Sequence, residues 1–318
     1  MTNHCSIQRW HFSHPWLSLG LGAIALPLSL NCIVTPGALA ARYRVFIVAG
    51  QSNAVGSGTQ GQLWQNRDST GDREVALFYR IALNGSCFAA GNAYDSNGEW
   101  VELAPQTAAT PCNPFYNAPN ATGFGPELSL GRTLSQHLSD RVAIVKFAVG
   151  ATQLVDTDGW RVGGRLHDRL LAFVETATAT LTEAGHTVEI AGLFWMQGES
   201  DAARYPNAIR YQTALAHFIA SIRSWSDRPH LPVVLGQIYP PDRDPAADDR
   251  AIVRDAQHNV AARDPFVALV ETRDLDRAEG DAIHYSSTGQ VELGRRFGRS
   301  YLDLVVRSRS RRRNNLLQ

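Results

Sequence analysis

Four short stretches of the sequence hold side chains that could do chemistry together: Gly50-Gln51-Ser52-Asn53, Gly150-Ala151-Thr152, Gln197-Gly198-Glu199-Ser200-Asp201 and Asp281-Ala282-Ile283-His284. A serine hydroxyl is a poor nucleophile at neutral pH. It needs a base within hydrogen-bond reach and a third group that holds the base in the right tautomer. Asp281 and His284, three residues apart, supply both from one segment: His284 would take the Ser52 proton, and Asp281 would orient and stabilise the imidazolium. None of His137, His167, His186, His217, His230 and His258 stands three residues after an Asp at a strand end. A tetrahedral oxyanion also needs donors fixed in advance. The candidates are the backbone N–H of Ser52, the N–H of Gly150, where a missing side chain lets backbone approach a ligand, and the side-chain amide of Gln197, which donates without titrating. Gln51, Asn53 and Glu199 stand beside them as supporting residues.

These stretches work together only if the fold brings them to one place. From Arg42 onward, short apolar runs alternate with longer amphipathic ones, the pattern of a parallel sheet with crossover helices. Strands are expected at Tyr43 to Ala49, Val142 to Ala148, Val188 to Trp195, Pro232 to Ile238 and Phe266 to Val270, each apolar enough to be covered on both faces. Helices are expected at Glu127 to Leu138, Arg165 to Ala184, Tyr205 to Ser224, Asp248 to Arg263 and Ser287 to Val306. Gly125-Pro126-Glu127 and Gly185 provide helix start and stop signals. The expected fold is α/β, a doubly wound parallel sheet of about five strands with helices on both faces. In such a sheet the carboxyl ends of the strands converge on one crevice, and the four stretches lie at or just after those ends.

The remainder of the 318 residues sets bounds. Residues 1–40 read as a secretory signal, with Arg9 as the only charge, an apolar core from Leu17 to Leu30 and a small-residue cleavage site at Ala38-Leu39-Ala40. Pro27, Asn31 and Pro36 interrupt a run already short for a membrane span, so no lasting anchor is expected. One domain over residues 41–306 is the economical reading. With 30 basic and 30 acidic residues in the full chain, no global field recruits nucleic acid. Cys87 and Cys112 are the cysteines left after cleavage, and export makes a bridge between them plausible. They pin an irregular segment from Asn84 to Thr122, where Tyr94, Trp100, Phe115 and Tyr116 could either stack on sugar rings or pack the loop onto the body. The basic end, residues 307–318, reads as a disordered tail. No histidine pair has helical ligand spacing, there is no Cys-x-x-Cys, and no Gly-rich loop cradles phosphate, so neither metal nor cofactor is expected.

In order, Phe46 to Gly56 around Gly50-Gln51-Ser52-Asn53, Phe124-Gly125-Pro126-Glu127, Trp195 to Asp201 and Asp281-Ala282-Ile283-His284-Tyr285 resemble the motifs of an SGNH-superfamily hydrolase of the sialate O-acetylesterase and acetylxylan esterase type, carbohydrate esterase family 6. The likeness runs from about Arg44 to Phe297. It implies a flavodoxin-like three-layer sandwich, Ser52 as nucleophile, His284 as base and then acid, Asp281 as its partner, and Gly150 and Gln197 as oxyanion donors. The family pattern favours a second glycine where Ala151 stands. The implied activity is a secreted or periplasmic serine esterase that removes acetyl groups from carbohydrate without a cofactor. Two other readings compete: a secreted carbohydrate-binding protein that has lost turnover, and a glycoside hydrolase using Glu199 and Asp201, which on an extended strand end would lie roughly 7 Å apart on one face. Neither the particular acetylated sugar nor the oligomeric state is set by the residues.

Overall fold

The computed structural model describes residues 40–64, 74–108, 112–115, 122–240 and 249–315; the leader expected at 1–40 lies outside them except for Ala40. The chain runs through β1 (Arg42–Gly50), a one-turn helix α1 (Ser52–Val55), a 3-10 turn (Gly61–Leu63) and β2 (Ala76–Ala82). It then makes an excursion of short pieces, α2 (Gly85–Ala89), β3 (Tyr94–Asp95), β4 (Val101–Glu102), β5 (Gln106–Thr107) and β6 (Thr122–Gly123). Regular alternation resumes with α3 (Glu127–His137), β7 (Arg141–Val149), α4 (Arg165–Glu183) and β8 (Thr187–Met196). The remaining elements are α5 (Glu199–Ala202), α6 (Tyr205–Ala208), α7 (Tyr211–Trp225), β9 (Val233–Gly236), α8 (Arg250–Arg263), β10 (Val267–Val270) and α9 (Ser287–Asn315).

The sheet order is β10-β9-β8-β1-β7-β2-β3, with β4 also paired to β2. The five expected strands are present and parallel. A sixth, β2, pairs parallel to β7, while β3 and β4 add short antiparallel edges. So the sheet has eight strands where about five were expected. β1 lies between β7 and β8, where the strand order reverses direction, and this is the point at which open α/β sheets form their crevice.

Successive strand residues point to opposite faces, so one dipeptide can fill both sides of the sheet. On β8, the Phe194 ring lies 5.6 Å from Phe297 of α9, while the Trp195 ring lies 4.4 Å from Phe218 of α7. β1 and β7 are buried almost end to end, as strands covered on both faces must be. Helices therefore flank both faces, as expected.

Three boundaries differ from expectation. The helix expected from Tyr205 to Ser224 is broken into α6 and α7, leaving Ile209 54% exposed at the joint. The last helix does not stop at Val306 but continues through the basic residues to Asn315, so residues 307–315 are helical rather than a disordered tail. The start expected at Asp248 lies outside the described residues, and α8 begins at Arg250.

The excursion is pinned as the cysteines suggested, by a Cys87–Cys112 disulfide. Of its aromatics, Tyr94, Trp100 and Phe115 serve packing. Phe115 is fully buried, and the Trp100 indole N–H donates to the Ala177 carbonyl (3.0 Å) and to Thr180 Oγ1 (2.9 Å) on α4. Tyr116 lies outside the described residues.

Candidate active site

β1 stops at Gly50 because the backbone there has φ 141° and a Cβ would lie 2.0 Å from the Met196 carbonyl oxygen. Only glycine fits so close an approach. The chain then turns into α1, and Ser52 is its first residue.

The Ser52 hydroxyl lies 2.8 Å from His284 Nε2, and His284 Nδ1 lies 2.7 Å from Asp281 Oδ2. The second Asp281 oxygen accepts from the backbone N–H groups of Ile283 (2.7 Å) and His284 (2.9 Å). The aspartate is thus fixed by its own turn. With a proton on Nδ1 facing Asp281, Nε2 is left as an acceptor for the serine proton, the arrangement an activated nucleophile requires. The three expected residues are brought together from opposite ends of the chain.

A second Ser-His-Asp chain shows why distance alone does not make such a site. His167 Nε2 lies 2.9 Å from Ser221 Oγ, and its Nδ1 lies 2.9 Å from Asp168 Oδ1. But Ser221 spends its hydrogen on the Phe218 carbonyl (2.8 Å). His167 Nε2 must then donate to Ser221, and it has no free lone pair with which to take a proton. Ser52 makes no such competing bond among the described residues.

The oxyanion donors differ from expectation at two of three positions. The Gly150 N–H donates to the Ala82 carbonyl at 3.0 Å, continuing the β7–β2 ladder, and is not available to a ligand. The next residue, Ala151, has a left-handed backbone (φ 51°), and its N–H has no partner among the described residues. The Ser52 N–H, in the first turn of α1, likewise has none. Gln197 is fully buried, and its amide nitrogen faces Asp201 Oδ2 (2.6 Å), the Thr152 carbonyl (3.0 Å) and Gln51 Oε1 (3.2 Å). Two hydrogens facing three acceptors leave nothing to donate to an oxyanion, so Gln197 ties strand ends together instead. Gln51 does the same with its oxygen, which also faces the N–H groups of Gly198 (3.4 Å) and Ser200 (3.3 Å).

Glu199 and Asp201 lie on helix α5 rather than on an extended strand end, which separates their directions. Asp201 accepts from the N–H groups of Leu154 (2.8 Å) and Val155 (3.2 Å) and so closes the loop after β7. Glu199 Oε1 accepts from Asn53 Nδ2 at 2.7 Å. Burial pushes both carboxyls above the usual carboxylate range. Each has a separate structural partner, and they do not form the acid pair that glycoside hydrolysis needs. Among the described residues no cluster of His, Cys, Asp and Glu could hold a metal.

Sequence reasoning noted Ala151 as standing where glycine is favoured but did not assign its N–H as a donor, and it missed Lys146, a fully buried cation beneath α1. Its ammonium donates to the Val55 carbonyl (2.9 Å) and to Gln106 Oε1 (2.8 Å) and lies 2.9 Å from Glu127 Oε2.

Residues 42–303 match the family model described as carbohydrate esterase, sialic acid-specific acetylesterase. The chain belongs to this family. It is an SGNH-type carbohydrate esterase. A probable carbohydrate esterase of Arabidopsis thaliana is 24% identical over 264 residues, covering 81% of this chain and 90% of the relative. Its crystal structure superimposes with a TM-score of 0.58 at 20% identity, covering 83% of this chain and 98% of that one. The structure of NanS gives 0.60 at 15% identity, over 85% and 100% of the two chains. At these identities the structures attest the fold: a mostly parallel sheet with flanking helices.

Proposed function

We propose that this carbohydrate esterase is an exported serine O-acetylesterase that releases acetate from acetylated sugars through an acyl-enzyme. The single observation that carries the reading is the unbroken chain from Ser52 Oγ to His284 Nε2 (2.8 Å) and from His284 Nδ1 to Asp281 Oδ2 (2.7 Å). Ser52 attacks the ester carbonyl as His284 takes its proton. The oxyanion is received by the N–H groups of Ser52 and Ala151, which follow adjacent strands that pair Gly50 with Ala148. Each such donor lowers the barrier by about 3 kcal/mol in comparable enzymes. The imidazolium, held by Asp281, then protonates the departing sugar oxygen. Water enters, gives a proton to His284 and attacks the acetyl-serine; the imidazolium then passes that proton to Ser52 Oγ as the acyl C–O bond breaks, and acetic acid leaves and ionises to acetate. The Cys87–Cys112 bridge supports an oxidising compartment, in keeping with the leader-like residues 1–40. The family's description and the relatives' names favour a carbohydrate alcohol.

The test is hydrolysis of a chromogenic acetate and of a panel of acetylated glycans by the chain from Ala41 and by Ser52→Ala. Turnover is expected only with Ser52 present. Equal activity in the two proteins, or binding of acetylated glycans with no turnover by either, overturns the reading.

A further inference from the structure

Asn53 follows the nucleophile and is fully buried. Its side-chain nitrogen donates to the Ile283 carbonyl at 3.1 Å, and its side-chain oxygen accepts from the Tyr285 N–H at 3.2 Å. The residue between those two is His284. One amide side chain, on the residue that follows Ser52 in the chain, therefore clasps the main chain on both sides of the base. It does so as a strand would, with one donor and one acceptor facing their complements. The Asn53 carbonyl is held in turn by Gln290 Nε2 at 2.9 Å, which anchors the same residue to α9.

A primary amide can be turned end for end, and the clasp works in only one orientation. The second hydrogen of Asn53 Nδ2 goes to Glu199 Oε1 at 2.7 Å. Turned over, the amide would set its oxygen against two acceptors, Glu199 and the Ile283 carbonyl, and its nitrogen against the Tyr285 N–H. Glu199 is only partly buried as a residue, but its Oε2 is sealed from solvent and makes no hydrogen bond. Among the described residues, the side chain that bonds its carboxyl is Asn53. An acceptor at Oε1 is present whether or not the carboxyl is ionised.

We propose that Asn53 and Glu199 are positioning residues that set the separation of nucleophile and base: Asn53 splices the Ser52 helix to the His284 loop, and Glu199 fixes the orientation of the Asn53 amide. The proposal rests on the esterase reading above, because it assigns a task only if Ser52 and His284 react together. It acts through geometry and not through the charge of Glu199, which yields an ordering of variants. Misplacing catalytic groups by about 1 Å costs on the order of 100-fold in rate. Asn53→Ala and Asn53→Asp should therefore lower kcat by about 100-fold with KM for a chromogenic acetate little changed. Glu199→Met, which removes the acceptor, should lower kcat by about 10-fold or more, while Glu199→Gln, which can present its own amide oxygen to Asn53, should restore most of the rate.

The experiment measures kcat and KM for these variants beside wild type and Ser52→Ala, with a thermal melt for each protein. A merely structural role predicts that kcat follows the folded fraction and that Glu199→Gln and Glu199→Met differ only in melting temperature. A charge role for Glu199 predicts that Gln fails as badly as Met. Either result overturns the proposal, as does wild-type kcat in Asn53→Ala. Activity in Ser52→Ala overturns the esterase reading itself, so the two failures are distinguishable. If Asn53→Ala does not fold, the contrast between Glu199→Gln and Glu199→Met decides.

Discussion

Lys146→Met tests how the nucleophile helix is supported from below. Lys146 and Glu127 are both fully buried, with ammonium and carboxylate 2.9 Å apart. The ammonium also donates to the Val55 carbonyl and to Gln106 Oε1, while Glu127 Oε1 accepts from the Gly125 N–H (2.9 Å) and Gln106 Nε2 (3.1 Å). Burial draws the Lys146 ammonium below the usual lysine range, and Glu127 opposes that shift. Methionine fills similar space but leaves the carboxylate with no cation and strips a donor from two buried acceptors. Breaking a buried pair from one side costs about 3–5 kcal/mol. The double variant Lys146→Met, Glu127→Gln removes the stranded charge and keeps an acceptor for Gly125, so it should recover about 2 kcal/mol of that loss. The assay is urea unfolding of the three proteins at pH 7, with ΔΔG taken from the midpoints. A single variant within about 1 kcal/mol of wild type, or a double variant no better than the single, refutes the reasoning.

Two further outcomes follow from the site's surroundings. Because burial raises the Asp201 carboxyl above its ordinary value of 3.8, the folded chain holds that proton more tightly than the unfolded chain. Stability from this group is therefore full below the ordinary value and falls as pH rises toward the raised one; unfolding measured from pH 4 to 7 should fall less steeply in Asp201→Asn than in wild type, and parallel curves would contradict the assignment. Ala151→Gly should leave the fold intact and stabilise it by up to about 1 kcal/mol, since an L side chain at φ 51° is strained; a loss of stability by thermal melt would show that the Ala151 methyl is needed where it stands.

What could and could not be read from the residues divides along physical lines. Tyr43 to Ala49 and Val142 to Ala148 were legible because a strand covered on both faces is a nearly unbroken apolar run. β2 was not, because Arg80 and Tyr79 are partly exposed near a sheet edge and interrupt the run. That omission led directly to the error at Gly150. Its N–H is committed to Ala82, a residue of the strand that was not recognised, so no inspection of Gly150 alone could show that its donor was spent. The Ser52, Asp281 and His284 set was legible from side-chain chemistry, the three-residue spacing of Asp281 and His284 and the position of Ser52 just past β1, although the Asp281–His284 loop lies well beyond the end of β10 at Val270. Gln197 was placed correctly in the crevice but assigned a free amide, because the number of acceptors around a buried amide depends on packing from Thr152, Asp201 and Gln51 together.

The register of β1 explains why these pieces meet at all. At its start β1 pairs with β8 so that Val45 faces Ile190, yet the next pair is Phe46 with Gly192. Ala191 is the extra residue, a bulge in β8. Continued without it, Gly50 would face Trp195; with it, Gly50 faces Met196. That one step moves Gln197 toward Gln51, where their side chains meet at 3.2 Å, and it reverses which face of the sheet each later β8 residue addresses relative to β1. Phe194 then packs toward α9 and Trp195 toward α7, so the same residue that aligns the strand ends also decides which aromatic fills which layer. On the other side β1 and β7 pair without a shift, Gly50 opposite Ala148, which leaves Ser52 and Gly150 each two residues past a matched pair. The site is thus a consequence of register: one strand bulged against its neighbour on one side and in step on the other, with the reactive serine at the point where both alignments end.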